Sequence, residues 1–191
     1  QGVVVGAVLN GFPVVERTFA GGPFDWLTPF TLFCGLGLVI AYALLGATWL
    51  VMKSEDPLQR IMRRHARGLL LALLAVIAVI SAWTPLAHPA IAQRWFTLPN
   101  LCFLLPVPVL VMAVSLVIWR TLARPQCHAQ PFVLTLILIF LGFSGLGISI
   151  WPHIIPPDIT LWQAAAPTQS QGFMLIGALL IIPIILVYTF W

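Results

Sequence analysis

The sequence predicts an all-α fold, a polytopic transmembrane helical bundle, and three observations carry that prediction. Five long stretches hold no charged residue: Asp25 to Lys53, Arg67 to Arg94, Arg94 to Arg120, Arg124 to Asp158, and Asp158 to Trp191 are each charge-free between those markers. Every one exceeds the roughly 20 residues an α-helix needs to cross a hydrocarbon core about 30 Å thick. Charged residues make up 7% of the chain and hydrophobic ones 61%, whereas a water-soluble domain carries about 25% charged residues. In lipid only helices and closed barrels satisfy their own backbone groups. A barrel would alternate polar and apolar residues, but the run RGLLLALLAVIAVISAW (67–83) is apolar all round. Residues 1–191 are therefore read as one transmembrane domain.

Taken in order, residues 1–9 (QGVVVGAVL) read as the tail of an apolar helix, too short to cross a membrane alone. They lack the basic flank and cleavage site of a signal peptide. With no initiator Met and no charged tail after Trp191, the expectation is an internal or C-terminal part of a longer chain. Span A covers about 27–52, and Thr28-Pro29 suits its start because Pro is tolerated in a first turn. Span B covers about 68–87, closed by Pro85, His88 and Pro89. Span C covers about 100–119, with a kink expected at Pro106 and Pro108. Span D covers about 131–151 and ends at Pro152, Pro156 and Pro157. Span E covers about 169–191; Thr168 and Gln171 have the form of a capping box, and Pro183 is expected to bend the helix.

Orientation follows from the basic residues. Lys53, Arg60, Arg63, Arg64 and Arg67 lie between A and B, and Arg120 and Arg124 between C and D. Only Arg17 and Arg94 lie on the opposite side, so the A–B and C–D loops and the C-terminus are expected to be cytoplasmic. The net charge of +4 is no nucleic-acid signature, because the basic residues cluster at span ends. Leu58, Ile61, Met62 and His65 fall at helical spacing with the arginines on the other face. A short amphipathic helix at the lipid interface is the expectation. Gly142, Gly145 and Ser149 share one face of span D, and Gly46 and Ala47 offer span A the same small surface for close helix packing.

The chemistry is sparse. Cys34, Cys102 and Cys127 are widely spaced and form no CxxC pair, and Cys127-His128 offers two metal ligands with no others nearby. His65, His88, His128 and His153 lie in loops or at span ends, whereas a haem within the bilayer needs His or Met ligands at depth. Met112 and Met174 lie within spans but read as packing residues. No Asp, Glu, Lys or Arg lies inside a span, so no intramembrane relay is visible. The densest polar and aromatic region is 151–172, where Trp151 and Trp162 suit an aromatic belt and His153 can pair with Asp158. No catalytic, cofactor-binding or metal-binding residue is assigned.

The segments LTPFTLFCGLGLV (27–39), YALLGATWLVMK (42–53), SAWTPLAHPAIAQRWF (81–96) and the whole of 147–191 resemble subunit II of the bacterial cytochrome bd-type quinol oxidases. The Trp-Pro-x-Ile-Ile-Pro-Pro block (151–157) and the Gln-rich start of span E are similar to the cyanide-insensitive branch. The resemblance implies the tail of a fourth span plus the last five, in the bacterial inner membrane. It implies a heterodimer in which subunit I carries the b- and d-type haems and the quinol-oxidising loop, with quinol as substrate and O₂ reduced to water. The family's functional acidic residues fall in the N-terminal half, so none maps onto this chain. The partners implied are subunit I, quinone and membrane lipid. A secondary transporter and a purely structural assembly subunit are the rival readings; the transporter lacks the midplane charged site that its class often uses.

Overall fold

The computed structural model describes residues 1–15, 18–87, 92–93, 95, 97–98, 104–156 and 159–191. Its helices are α1 (Gly2–Asn10), α2 (Pro29–Lys53), α3 (Leu58–Ala87), α4 (Pro106–Ala123), α5 (Gln130–Ile150), α6 (Leu161–Ala164) and α7 (Thr168–Phe190). Two small antiparallel hairpins accompany them, β1 (Val14–Val15) with β2 (Thr18–Phe19), and β3 (His153–Ile155) with β4 (Ile159–Thr160). Helices α2, α3, α4, α5 and α7 are long and apolar enough to cross a membrane, one for each span the sequence predicts.

The start of α2 is set by its sequence. Thr28 Oγ1 accepts from the Thr31 amide at 3.2 Å, and Thr31 Oγ1 accepts from the Thr28 amide at 3.0 Å. This reciprocal cap, with Pro29 in the first turn, satisfies donors that a helix start leaves orphaned. Asn10 Nδ2 donates to Thr28 Oγ1 at 3.1 Å and ties the end of α1 to the same point. The chain leaves α1 through Gly11 at φ 76, a conformation glycine adopts at little cost.

Helices α2 to α5 form a closed ring, each packing on the next and α5 returning to α2. Its core joins Ala41, Leu44 and Ala47 of α2, Ala66, Leu70 and Leu73 of α3, Val111, Ile118 and Leu122 of α4, and Leu138 of α5. Helix α1 packs outside the ring on α2 with backbones nearly touching. A Cβ on Gly6 would sit 2.9 Å from Thr31 Cα, and one on Gly35 would sit 2.7 Å from Val3 Cγ2. Small residues permit that approach. Helix α7 buries no residue against the rest of the chain.

The structure corrects several expectations. The segment from Leu58 is not a separate interfacial helix; it continues into span B as one helix of 30 residues. Its buried face is Gln59, Arg63, Ala66 and Leu70, while Leu58 and Ile61 are exposed. Pro85 does not close α3 but lies inside it; His88 and Pro89 fall outside the described residues. The helix of span C begins at Pro106, so Pro106 and Pro108 occupy its first turn, where a missing N–H costs no ladder bond. Gly145 does face a neighbour, Val107 Cγ1 at 3.1 Å from a would-be Cβ, but nothing lies within 4 Å at Gly142 or Gly46. Thr168 is the first residue of α7 rather than its cap, and Gln171 Nε2 donates to the Ala166 carbonyl at 2.8 Å. The capping box of this region is Thr160 with Gln163, at the start of α6. Pro183 lies inside α7 as expected.

Candidate functional site

The polar chemistry of the bundle gathers where α2 ends, α3 begins and α4 turns into α5. Two buried side chains on successive turns of α3 organise it. Gln59 Nε2 lies 2.9 Å from the Val51 carbonyl, 3.1 Å from the Ser54 carbonyl and 2.7 Å from His128 Nδ1. An amide nitrogen only donates, so its two N–H groups are shared among these three acceptors, His128 Nδ1 included. The contact joins the α2–α3 turn to the α4–α5 turn.

Arg63 is 8% exposed and reaches further. Its Nη1 donates to the carbonyls of Thr121 at 3.3 Å and Arg124 at 2.9 Å, and its Nη2 to those of Pro125 at 3.0 Å and Cys127 at 2.8 Å. Carbonyls at a helix C-terminus lack ladder partners and carry partial negative charge. The Thr121 and Arg124 carbonyls already accept from the Arg124 and Cys127 amides at 3.1 and 3.2 Å, so Arg63 adds a second donor there, and it places a cation where the dipole favours one. The clamp uses no carboxylate. The ion pair among the described residues is Arg60 with Asp56 at 3.5 Å, on the exposed face. Beside Gln59 lies a cavity of about 370 Å³ whose lining includes Lys53, Ser54, Glu55, Asp56 and His128.

At the other end Trp151 and Trp162 meet edge to face at 5.5 Å. They flank the β3–β4 hairpin, in which His153 pairs with Thr160. Asp158, which the sequence allows either to pair with His153 or to line a water entry, lies outside the described residues, as do His88 and Cys102.

Of the haem ligands weighed from the sequence, His88 lies outside the described residues. Met112 and Met174 are 63% and 70% exposed on outward faces of α4 and α7. His65 is exposed and donates from Nδ1 to the Ile61 carbonyl at 2.9 Å. His128 is engaged by Gln59. Among the described residues no three His, Cys, Asp or Glu side chains converge on a metal position. Cys127 contributes its carbonyl to the Arg63 clamp, and Cys34 is buried beside Leu9 and Phe30.

Sequence reasoning missed Gln59 and Arg63. The signal was present: positions 59, 63, 66, 70 and 73 extend the buried face of span B backwards at helical spacing. A pattern that scores apolar residues alone passes over it.

Compared with known proteins, residues 1–191 match the family model described as cytochrome bd terminal oxidase subunit II. The cytochrome bd-I ubiquinol oxidase subunit 2 of Escherichia coli (strain K12) is 25% identical over 224 residues, covering 100% of this chain and 59% of the relative. A probable cytochrome oxidase subunit 2 of Haemophilus influenzae is 23% identical with the same coverage. This chain thus spans 59% of the length of these curated relatives.

Proposed function

This chain belongs to the cytochrome bd terminal oxidase subunit II family, and from that premise we propose that it serves a membrane quinol oxidase as the subunit without haem ligands of its own. The observation that carries the reading is the family match, which runs through all five spanning helices. The reaction is oxidation of two quinols to quinones, with four electrons and four protons reducing O₂ to two waters. The haems and the quinol-oxidising loop belong to a second chain, subunit I. The role of this chain is structural: it holds the helix ring at a fixed depth, gives subunit I a surface on which to assemble, and bounds the paths to the partner's cofactors. Its 191 residues act as one transmembrane domain in the bacterial inner membrane.

The test is an affinity tag on the full-length parent. It is expected to bring down a second polytopic chain that carries stoichiometric haem. A parent that purified as a haem-free single species and moved a solute across liposomes would replace this reading with the transporter.

The basic excess of the A–B and C–D loops orients the bundle with the Arg63 end in the cytoplasm. Cysteines placed at Arg64 and at Thr160 should react with an impermeant maleimide from opposite sides, position 160 from outside. Labelling of both from one side contradicts the orientation.

A further inference from the structure

We propose that the seam between α3 and α4, at the basic end of the bundle, binds the headgroup of an anionic phospholipid, centred on Arg67. The proposal rests on the chain's crossing of a membrane and is independent of the oxidase reading.

Depth is the first argument. At 30 residues α3 is roughly 45 Å long, against a hydrocarbon core of about 30 Å. Its charge-free part after Arg67 accounts for roughly the core, which puts Arg67 at the boundary. Helix α4 runs the other way, and its charge-free part ends at Trp119, just before Arg120. Two helices thus set the same boundary separately, and the structure brings the two levels together. The Arg67 guanidinium carbon lies 5.6 Å from the Trp119 ring centre. Headgroup phosphates lie at that level.

The second argument is a missing anion. Arg63, one turn away, has both Nη atoms on four carbonyls, although its Nε, like that of Arg67, is buried without a partner. Arg60 is paired with Asp56. Arg67 has the Trp119 face, and its Nε is buried without a hydrogen-bond partner. A guanidinium lying over an aromatic ring at this distance still has its Nη N–H groups for an oxyanion, and its fork matches phosphate. Arg64, three residues before it on the same side of the helix, and Arg120, beside Trp119, are exposed and add positive charge.

The third argument selects a lipid over free phosphate. One turn deeper than Arg67 lies Leu71, 54% exposed, and one turn deeper than Arg120 lies Leu116, 51% exposed. They offer an acyl chain an apolar strip directly below the cationic group. Basic pockets between membrane helices recognise anionic headgroups in this way.

The test uses the full-length parent, in the complex it forms in its own membrane, exchanged into phosphatidylcholine vesicles with or without phosphatidylglycerol. Lipid retained after detergent extraction is counted by native mass spectrometry. Phosphatidylglycerol should be retained in preference to phosphatidylcholine, and excess inorganic phosphate should not displace it. Arg67→Gln should weaken retention about fivefold. Arg60→Gln, which removes the same charge from the same helix, should leave it unchanged. If Arg67→Gln does not assemble, Arg120→Gln takes its place with the same comparison. Equal losses in the site variant and Arg60→Gln would reduce the site to diffuse surface charge. No preference for phosphatidylglycerol, or displacement by phosphate, would equally overturn the proposal.

Discussion

Helices α3 and α7 are both long, apolar and free of charge through their central parts, yet the chain treats them differently. Helix α3 is held on two sides: Ala66, Leu70 and Leu73 enter the ring core, and Arg63 and Gln59 grip the turns at its basic end. Helix α7 buries nothing, and Phe173, Tyr188 and Phe190 are each more than four-fifths exposed. The difference shows that hydrophobicity selects the solvent of a helix but not its place. Lipid tails are as apolar as leucine, so burial of apolar area does not drive one membrane helix onto another. Position comes from close packing at small residues and from polar groups whose partners lie on another element. Helix α3 has both. Helix α7 has glycines at Gly172 and Gly177, but nothing lies within 4 Å of either.

The contrast can be broken experimentally, and the largest effect is expected at Arg63. Arg63→Leu keeps the helix apolar but strips donors from four carbonyls at the α4–α5 turn. The Thr121 and Arg124 carbonyls keep backbone donors, so the loss falls mainly on those of Pro125 and Cys127, at about 1–3 kcal/mol for each acceptor left unpaired before water recovers part of it. A net loss of about 3 kcal/mol should appear as a fall of several degrees in the unfolding midpoint of the detergent-solubilised protein. Arg63→Lys should rescue little, since an ammonium cannot fork across four carbonyls. An unchanged midpoint would mean that the clamp is ornamental.

A smaller effect separates two glycines. Gly35→Leu would drive a side chain into Val3, where even a Cβ is too close. Overpacking of that kind costs about 1–3 kcal/mol. Gly177→Leu on α7 meets nothing and should change the stability by less than about 0.5 kcal/mol. Equal effects at both positions would show that α7 is packed as tightly as α2, and the contrast would fail.

These results also mark how far the sequence could be read. The five spans were legible because a charge-free run of sufficient length admits few other readings, and Thr28-Pro29 located the start of α2 through known cap chemistry. The start of α3 was misread because Leu58, Ile61 and Met62 form an apolar stripe of their own. The arginine at position 63 looked like part of a solvated face until the carbonyls it binds, some 60 residues further on, came into view. Its helical spacing from Ala66 and Leu70 marks position 63 as buried, but the identity of so distant a partner leaves no local trace. The small residues of span D were found by spacing, yet of its two glycines Gly142 meets nothing within 4 Å and Gly145 meets Val107, while closer helix contacts are made by Gly2, Gly6, Gly35 and Gly37. Spacing identifies a face that permits contact; the topology decides which such face is used.

We propose that this chain, as a haem-free scaffold, works only beside a haem-bearing one. The most direct measurement is quinol-driven O₂ consumption in membranes containing the full-length parent alone, its co-purifying partner alone, or both. The account predicts uptake with both chains and none above background with either alone. Quinol oxidation by the parent in the partner's absence would contradict it.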